Sequence, residues 1–425
     1  MPSNTTITNG GSGVLNAATG GAQYNNNGSG RQWNYGSHGA GGQIPDAEAA
    51  NTRASSHQQP SRREDFRIAI ICALALEFDA VSLLFDQLWE EEGAVYGRAP
   101  GDLNTYTTGR IGKHNVALAL LPNMGTAAAA GAAAGVRSSF PCLRLALIVG
   151  VCGGVPGTGG NEVLLGDVVI SKTVQHSVGK QYRDAYVLKD TIDDSLGRMN
   201  RDLRTLVTSF ETELGRKSLQ KKASEYLKTL QSAAAREGYS QDYRYPGVAK
   251  DKLFPPDYQH KHHLPQACAI CVGESGGFCE EAVQASCADL HCDENQTVSR
   301  QSLEKKRRMT PDDMQRPRVH IGRIISGDTV MKSGEHRDRI AQQYKVIAFE
   351  MEGAGAWDEV PCIVVKGVCD YADSHKNQEW QPFAAATAAS VAKAVLGAIR
   401  VRLGALLHLY IPRISCSPRA ISSAL

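Results

Sequence analysis

Acidic side chains stand close together where one apolar segment of the chain ends. In residues 345–360, KVIAFEMEGAGAWDEV, Glu350 and Glu352 flank Met351, and small residues follow at once. Side chains two positions apart on a strand point the same way, so both carboxylates face one side. Like charges this close are unfavourable unless something binds them. The pair therefore indicates a ligand site, the alternative being a strand end that reaches solvent.

Further acids and glycines follow other apolar runs. Glu77 follows the first run, the sequence GVCGG starting at Gly150 ends another, and Asp370 ends IVVKGVCD. In parallel sheets, ligands bind beyond the carboxyl ends of the strands, so these residues are expected to meet at one edge. Breaking a sugar–base bond passes through an oxocarbenium-like transition state. Such a reaction needs an acid for the leaving base, a base for the attacking water and acceptors for the sugar hydroxyls, which three carboxylates can provide.

The apolar runs that carry these residues alternate with helical stretches. Short, nearly continuous apolar runs are typical of strands that are buried on both faces. They begin at Phe66 and recur at 115–121, 143–151, 166–171, 345–351 and 361–368. The intervening residues 125–140 and the later 380–403 have helical patterns. This alternation predicts an α/β fold, a three-layer sandwich with a central mixed, mainly parallel sheet flanked by helices.

Composition divides the chain into segments. Residues 1–62 are rich in Gly, Asn, Ser and Gln, and we expect this low-complexity segment to be disordered because it has little apolar surface to bury. Residues 66–403 are predicted to form one domain with a long insertion at about 190–318, and 404–425 form a tail. The insertion has a helical pattern up to about residue 236. It ends in the basic run LEKKRR (303–308), which we interpret as a solvated face, a nuclear address or nucleic-acid contact being the alternative.

Several motifs together resemble one known family. They are IICALALEFDAV, VGVCGGV, GDVVIS, ISGDTVMK, AFEMEGAG and KGVCDYADSHKN. They resemble the nucleoside phosphorylase superfamily (purine/uridine phosphorylase-like). Within it they look most similar to the methylthioadenosine/S-adenosylhomocysteine nucleosidases and to fungal nucleoside phosphorylase domain proteins. The resemblance covers about 66–190 and 319–400. It implies a nucleoside phosphorylase-like fold, action on an N-glycosidic bond without a cofactor, and a homo-oligomer.

The resemblance also implies roles for individual residues. Glu77 matches the carboxylate that activates water, Glu352 the acceptor of the ribose hydroxyls, and Asp370 the acid that protonates the purine's imidazole-ring nitrogen. The implied substrate-binding residues are Gly125, Val151, Cys152, Gly153, Ser326, Val330, Phe349, Glu350, Met351 and Trp380. Two departures stand out. Val151 replaces a Ser or Thr that is common in the family, and Val330 replaces an aromatic, with a loss of about 1 kcal/mol of stacking.

Water is the expected nucleophile. The phosphate-binding signature of the phosphorylases, Gly-Asp-Pro-x-x-Arg, is not found near the first strand, and Glu77 occupies that neighbourhood. A carboxylate repels phosphate and suits water activation. We therefore expect hydrolysis of a purine nucleoside or nucleotide with release of the base. The alternatives are a phosphate-dependent purine nucleoside phosphorylase, a catalytically silent nucleoside-binding module, and an ATP nucleosidase of an immune-type effector, in which His375, Lys376 or Lys332 would hold phosphates.

Charge and composition favour a small-molecule partner, a purine nucleoside or nucleotide. The net charge of +2 indicates neither nucleic acid nor an acidic surface. The longest apolar stretch carries Lys393, Arg400 and Arg402, which argues against a membrane span. The amino terminus has no basic start and no apolar core, so we expect no signal peptide. The eleven cysteines are then interpreted as reduced thiols. A cytoplasmic location is expected, with the nucleus as the alternative.

One cluster of cysteines could bind metal. Cys268 and Cys271 form a C-x-x-C pair, and Cys287 with His291 forms a C-x-x-x-H pair. Two such pairs can provide the four ligands of a structural zinc ion. The spacing between the pairs is irregular, so reduced thiols in a loop are the preferred interpretation and no metal is expected.

Overall fold

The computed structural model describes residues 59–93, 96–157, 162–177, 179–181, 186–188, 196–264, 268–272 and 278–406. Most of the segment predicted to be disordered, up to residue 58, and the tail from residue 407 lie outside the described residues.

A mixed sheet forms the centre of the protein. The strands that the described residues contain are β1 (Ile68–Cys72), β2 (Gln87–Leu88), β3 (Tyr106–Ile111), β4 (His114–Leu120), β5 (Leu145–Gly154), β6 (Val168–His176), β7 (Gly179–Gln181), β8 (Tyr186–Leu188), β9 (Val319–Ser326), β10 (Val346–Glu350) and β11 (Cys362–Asp370). Nine of them form one sheet in the order β10-β9-β6-β11-β5-β1-β4-β3-β2, while β7 and β8 pair separately. Five of the pairings in this sheet are parallel. The antiparallel pairings are β2–β3, β3–β4, β6–β11 and β5–β10. The predicted fold class is confirmed.

Helices flank this sheet. They are α1 (Ala75–Ser82), α2 (Thr126–Ser139), α3 (Arg201–Glu211), α4 (Glu213–Glu237), α5 (Ala269–Val272), α6 (Glu280–Gln284), α7 (Gln301–Arg307), α8 (Pro311–Met314), α9 (Gly334–Tyr344), α10 (Gly353–Trp357) and α11 (Gln381–Leu406). The helical pattern predicted up to about residue 236 corresponds to α3 and α4. Both bury apolar side chains in the main core, so this part of the predicted insertion is integral to the domain.

Strand β5 brings the site residues together. It pairs in parallel with β1 from Leu145 to Ile148 and with β11 from Ala146 to Gly153. Its last residues pair antiparallel with β10, with Gly153 opposite Phe349. The carboxyl ends of β1, β5, β10 and β11 therefore meet at one edge of the sheet, which is where ligands bind in such folds.

Helix α11 packs against the centre of the sheet. Its segment Gln381–Ile399 is long and apolar enough to span a membrane by composition, yet 78% of the apolar window is buried inside the protein. Gly367 of β11 makes this packing possible, because a Cβ there would clash with the backbone oxygen of Ala384. Lys393 reaches out of the buried face to the carbonyl oxygen of Leu84 at 2.8 Å. Within the described residues, α11 is the core helix of a folded domain.

The basic run 303–308 differs in part from the predicted solvated face. Lys306 is buried, and its ammonium lies 5.1 Å from the centre of the Tyr245 ring. A cation over an aromatic face is stabilised by the ring's quadrupole. The run thus contributes to the packing of α7 on the domain.

Candidate active site

A cavity of about 320 Å³ opens at the edge where the four strands meet. This volume lies within the range of small-molecule sites. All three predicted catalytic acids, Glu77, Glu352 and Asp370, line it. Of the predicted substrate-binding residues, it is lined by Val151, Cys152, Gly153, Val330, Phe349, Glu350 and Met351. Three acids that are far apart in sequence therefore face one small space.

Glu77 is fixed by backbone hydrogen bonds. It lies in the first turn of α1 and is 2% exposed. Oε1 accepts from the N–H of Val151 at 2.7 Å, and Oε2 accepts from the N–H groups of Ala73 and Leu74 at 2.9 and 3.0 Å. A carboxylate has about four lone-pair positions, so room remains for one further donor such as water. Gly150 is required beside it, because a Cβ there would clash with the carboxylate.

Burial shapes the basicity of Glu77. Burial raises its pKa, the positive charge of Lys366 lowers it, and the neighbouring Glu352 raises it again. The net effect is a pKa above the usual glutamate value, which makes the carboxylate a better proton acceptor. The geometry and the charge state both suit a general base.

Glu350 and Glu352 are stabilised by a buried lysine. Lys366 in β11 is 1% exposed, and its Nζ lies 2.7 Å from Glu352 Oε2 and 3.7 Å from Glu350 Oε2. Glu350 also accepts from the N–H of Glu352 at 3.1 Å and of Gly353 at 3.0 Å. Burial raises the pKa of Glu350, and Lys366 opposes that rise. The two carboxylates coexist because Lys366 and backbone donors balance their charge.

Sequence reasoning missed Lys366. Burial lowers its pKa, but Glu352, Glu77 and Glu350 more than offset this effect and raise the pKa above the usual lysine range. Lys366 therefore stays charged and positions the acids from behind the cavity wall. The signal was present in PCIVVKGV, since a lone lysine inside a buried strand requires an anionic partner.

Asp370 is held in an ion pair. It is 4% exposed, its Oδ1 accepts from the N–H of Ala372 at 2.8 Å, and its Oδ2 lies 2.7 Å from Lys376 Nζ. Lys376 also lines the cavity, so acid and ammonium face the same space. Burial lowers the pKa of Lys376, but the neighbouring Asp370 more than offsets this effect and raises it, so Lys376 carries a proton. Sequence reasoning assigned Lys376 only to phosphate binding, whereas the structure pairs it with Asp370.

The loop after β11 is anchored by buried polar groups. Ala372 has φ 54°, a left-handed conformation that a residue with a Cβ rarely adopts, and such strain is typical of functional sites. The carbonyl of Tyr371 accepts from Arg337 Nη1 at 2.9 Å. The hydroxyl of Tyr371 donates to Asp251 Oδ1 at 2.7 Å. These contacts hold the backbone that presents Asp370.

The thiols at the site remain protonated. Burial raises the pKa of Cys152, which lines the cavity, and of Cys369, whose Sγ lies 3.2 Å from Asp370 Oδ2. A thiolate, and not a thiol, is the nucleophilic form of cysteine. The site therefore favours acid–base chemistry over a covalent thioester or thioether intermediate.

Three predicted substrate-binding residues lie outside the lining. Trp380 is 1% exposed, its Nε1 donates to the carbonyl of Lys250 at 3.2 Å, and it packs against Phe383, so it belongs to the core. Ser326 Oγ accepts from the N–H of Ala354 at 2.8 Å and supports the turn after Glu350. Gly125 begins α2 with φ 122°. The aromatic residue that does line the cavity is Phe349.

The four zinc candidates divide differently from the prediction. Cys268 and Cys271 lie with His262 and Cys279. Cys287 lies beside His260 at 3.5 Å, in a second group. His291 belongs to neither group, because the chain turns there with φ 56° and the N–H of Cys292 bonds to the carbonyl of Cys287 at 2.9 Å.

The sequence matches a known family. A family model described as the phosphorylase superfamily matches residues 67–234, which include the acid at 77, the glycine-rich end of β5, α3 and most of α4. The resemblance to the nucleoside phosphorylase superfamily that the motifs indicated is thereby confirmed.

Individual proteins are also similar to this chain. A nucleotide-binding leucine-rich repeat (NLR)-like protein of the fungus Hyaloscypha variabilis is 30% identical over 355 residues, which cover 82% of this chain and 31% of the relative. The chain thus spans about a third of that protein's length.

Among solved structures, a 5′-methylthioadenosine/S-adenosylhomocysteine nucleosidase of Neisseria meningitidis in complex with methylthio-immucillin-A is 16% identical. The match covers 78% of this chain and 98% of that chain, with a TM-score of 0.43. The futalosine hydrolase of Helicobacter pylori is 14% identical over 78% of this chain and 98% of that chain, with a TM-score of 0.44. At this distance no residue role is transferred from either structure.

Proposed function

We propose that this chain, whose residues 67–234 belong to the phosphorylase superfamily, hydrolyses the N-glycosidic bond of a purine nucleoside or nucleotide and releases the free base. The superfamily supports action on a nucleoside. The observation that carries the finer proposal is the set of buried acids Glu77, Glu352 and Asp370 around one cavity.

Each acid has a role in the proposed reaction. Glu352, held by Lys366, accepts hydrogen bonds from the ribose hydroxyls. Glu77 takes a proton from water as the water oxygen bonds to the anomeric carbon. The bond from that carbon to the base breaks, and its electron pair goes to the base, which receives a proton from the Asp370–Lys376 pair. The products are free ribose, or its 5′-substituted form, and the neutral free base. The two proton transfers balance when Glu77 returns its proton to solvent and the Asp370–Lys376 pair takes one up.

The proton for the base comes from a paired group. Lys376 Nζ is 2.7 Å from Asp370, and its side chain is 26% exposed, compared with 3% for Asp370. When a purine nitrogen approaches, the ammonium proton is passed along the Asp370 carboxylate or directly to the base. The pair therefore acts as one acid, and both members are required.

The charge of the site favours water over phosphate. Glu77, Glu350 and Glu352 are buried at one end of the cavity, where Lys366 contacts Glu350 and Glu352. A phosphate dianion placed beside these carboxylates would be repelled. A neutral water molecule avoids this cost, and Glu77 has the raised pKa that its activation needs.

A product assay tests the proposal. The full chain is incubated with a panel of purine nucleosides and nucleotides, with and without phosphate, and free base is measured by chromatography. We expect base release that does not depend on phosphate and that Glu77→Gln abolishes, while calorimetry shows that this variant still binds the substrate. Strict phosphate dependence would establish phosphorolysis instead. Equal binding by wild type and Glu77→Gln with no base release from either would establish a silent binding module.

The 5′ substituent is addressed by the same panel. Lys332 lines the cavity and is exposed, so it is available to a charged substituent. His375 does not line the cavity, and Lys376 is engaged with Asp370. Of the three residues considered for phosphate binding, Lys332 is therefore the one whose role is tested by comparing base release from adenosine, AMP, ADP and ATP. If Lys332→Ala reduces base release from the nucleotides only, the substrate carries a 5′-phosphate chain.

A further inference from the structure

A cysteine-rich segment, residues 254–292, lies beside the active-site loop and has its own small core. The buried residues of this core are Phe254, Cys271, Cys279, Ala282, Leu290 and Cys292. Half of them are cysteines, and such a core is too small to hold a segment in place by apolar burial alone. Small modules of this kind are usually stabilised by disulfides or by a metal ion.

Disulfides do not explain the cysteines of this segment. All five cysteines of the predicted insertion fall within it, and each is a free thiol. The Sγ atoms of Cys268 and Cys279 are 3.8 Å apart, whereas a disulfide bond measures about 2.05 Å. Five thiols are thus brought together without being cross-linked.

The first group of ligand atoms matches a tetrahedron. His262 Nδ1 lies 3.4 Å from Cys271 Sγ and 4.0 Å from Cys279 Sγ, and Cys268 Sγ lies 3.8 Å from Cys279 Sγ. All four atoms are within 4.8 Å of one another. In a tetrahedral zinc site with Zn–S of about 2.3 Å and Zn–N of about 2.0–2.1 Å, two sulfurs are about 3.8 Å apart and a sulfur and a nitrogen about 3.5 Å.

We propose that His262, Cys268, Cys271 and Cys279 bind a structural zinc ion. Three thiolates and one imidazole are a ligand set that zinc prefers, and four protein ligands leave no open position for substrate or water. The role of this ion is therefore to fold the segment. Binding releases the thiol protons to solvent and involves no oxidation or reduction.

A second group stands on independent observations. His260 Nδ1 lies 3.5 Å from Cys287 Sγ and 3.8 Å from Cys292 Sγ, and the ligand atoms of His260, Cys292 and His375 are within 4.8 Å of one another. His260 Nε2 lies 3.0 Å from the carbonyl of Ala285, which places the ring proton on Nε2 and leaves the Nδ1 lone pair facing the sulfurs. A backbone acceptor in this position is common behind metal-bound histidines.

His375 supplies a further reason for the second site. Both of its ring nitrogens are buried, and neither has a hydrogen-bond partner among the described residues. Leaving a buried polar group without a partner costs about 1–3 kcal/mol, which a metal bond to one nitrogen would remove. The structure assigns a second zinc ion to His260, Cys292 and His375, with Cys287 as the fourth ligand on the strength of its 3.5 Å contact with His260. Because His375 follows Asp370 by five residues, this ion would fasten the segment to the loop that presents the acid.

Metal analysis of the full-length chain tests both sites. Protein produced with added zinc and exchanged into metal-free buffer is expected to retain about two zinc ions per chain. Cys271→Ser and Cys292→Ser are each expected to retain one, while Cys142→Ala, which removes a buried thiol outside both groups, is expected to retain two. If Cys271→Ser or Cys292→Ser still retains two, the site to which it belongs is wrong.

A measurement on the wild type does not depend on the folding of any variant. X-ray absorption at the zinc edge is expected to show, on average, about 2.5 sulfur and 1.5 nitrogen neighbours, the mean of the two proposed sites. One zinc ion with three sulfurs and one nitrogen would support the first site and overturn the second. One zinc ion with two sulfurs and two nitrogens would support the second site and overturn the first. Protein that binds no zinc, or binds it mainly through oxygen, overturns both.

Discussion

Replacement of Lys366 by methionine isolates the charge balance of the candidate site. Methionine keeps an unbranched side chain of similar length but removes the ammonium, which is 1% exposed and lies 2.7 Å from Glu352. With an effective dielectric constant of about 20, the gross attraction at that distance is about 6 kcal/mol. Without Lys366, the free energy of the native state rises unless a neighbouring carboxylate takes up a proton.

Protonation limits the loss. Keeping a carboxyl with an ordinary pKa of about 4.3 protonated at pH 7 costs about 3.7 kcal/mol, at about 1.36 kcal/mol per pH unit. Burial raises the pKa of Glu350 and Lys366 opposes that rise, so without Lys366 the Glu350 carboxyl takes up a proton in the folded variant. Its folded pKa then exceeds its unfolded pKa, so the variant loses stability as the pH rises above the unfolded value. We expect Lys366→Met to lower the free energy of unfolding by about 3–4 kcal/mol at pH 7 and by about 1 kcal/mol at pH 5.

Urea unfolding followed by tryptophan fluorescence measures this difference at both pH values. Lys366→Arg keeps the charge and serves as the matched control, with a smaller and pH-independent loss. The double variant Lys366→Met/Glu352→Gln removes both charges and is expected to recover much of the stability. A loss that is the same at pH 5 and pH 7, or no recovery in the double variant, would refute the assignment of Lys366 as the counter-ion of Glu352.

Four further predictions concern the cavity and its surroundings. Gly150→Ala is expected to lower kcat for base release by about 10²-fold, because its Cβ displaces the Glu77 carboxylate, and an unchanged kcat would contradict the role of that contact. Glu77 must be ionised to act as the base, so kcat/KM is expected to fall as the pH is lowered. Because burial raises the pKa of Glu77, the midpoint of this fall is expected above the usual glutamate pKa of about 4.3. A midpoint at or below about 4.3 would argue against Glu77 as the base. Phe349→Leu is expected to raise KM about 5-fold at constant kcat, the equivalent of about 1 kcal/mol of stacking, and an unchanged KM would place the base elsewhere. Trp380→Phe is expected to lower the midpoint of thermal unfolding and leave kcat and KM unchanged, whereas a raised KM would return Trp380 to the ligand site.

Periodicity in the sequence was sufficient to predict the sheet. Continuous apolar runs identified β1, β4, β5, β6, β10 and β11, because most of the apolar residues in these runs are buried. Strand β9 was not identified by its pattern. It has an exposed position at Arg323 and several half-buried ones, so its apolar residues do not form a run. Strands were therefore predictable where apolar residues follow one another along the chain, and β9 was missed because polar residues interrupt its apolar ones.

The acids of the site were predictable, but their charge partners were not. Glu77, Glu352 and Asp370 stand at strand ends, where topology alone brings them together. Lys366 contacts Glu352, which lies at another strand end, and Lys376 contacts Asp370 around a turn. No local sequence pattern specifies either contact. The closeness of Glu350 and Glu352 was attributed to a bound ligand, whereas the buried Lys366 already balances their charge. The neighbours of the cysteines were unpredictable for a related reason, since His260 and His262 join them only through the folding of the segment.

The most direct measurement of the central claim is hydrolysis in water enriched in oxygen-18. Purified protein is incubated with its best purine nucleoside in phosphate-free buffer, and the released sugar is analysed by mass spectrometry. The reaction proposed for Glu77 predicts one labelled oxygen in each released sugar, the free base in equal amount, and neither product with Glu77→Gln. Base release that requires phosphate and yields an unlabelled sugar phosphate, or no release from any nucleoside or nucleotide tested, would contradict the account.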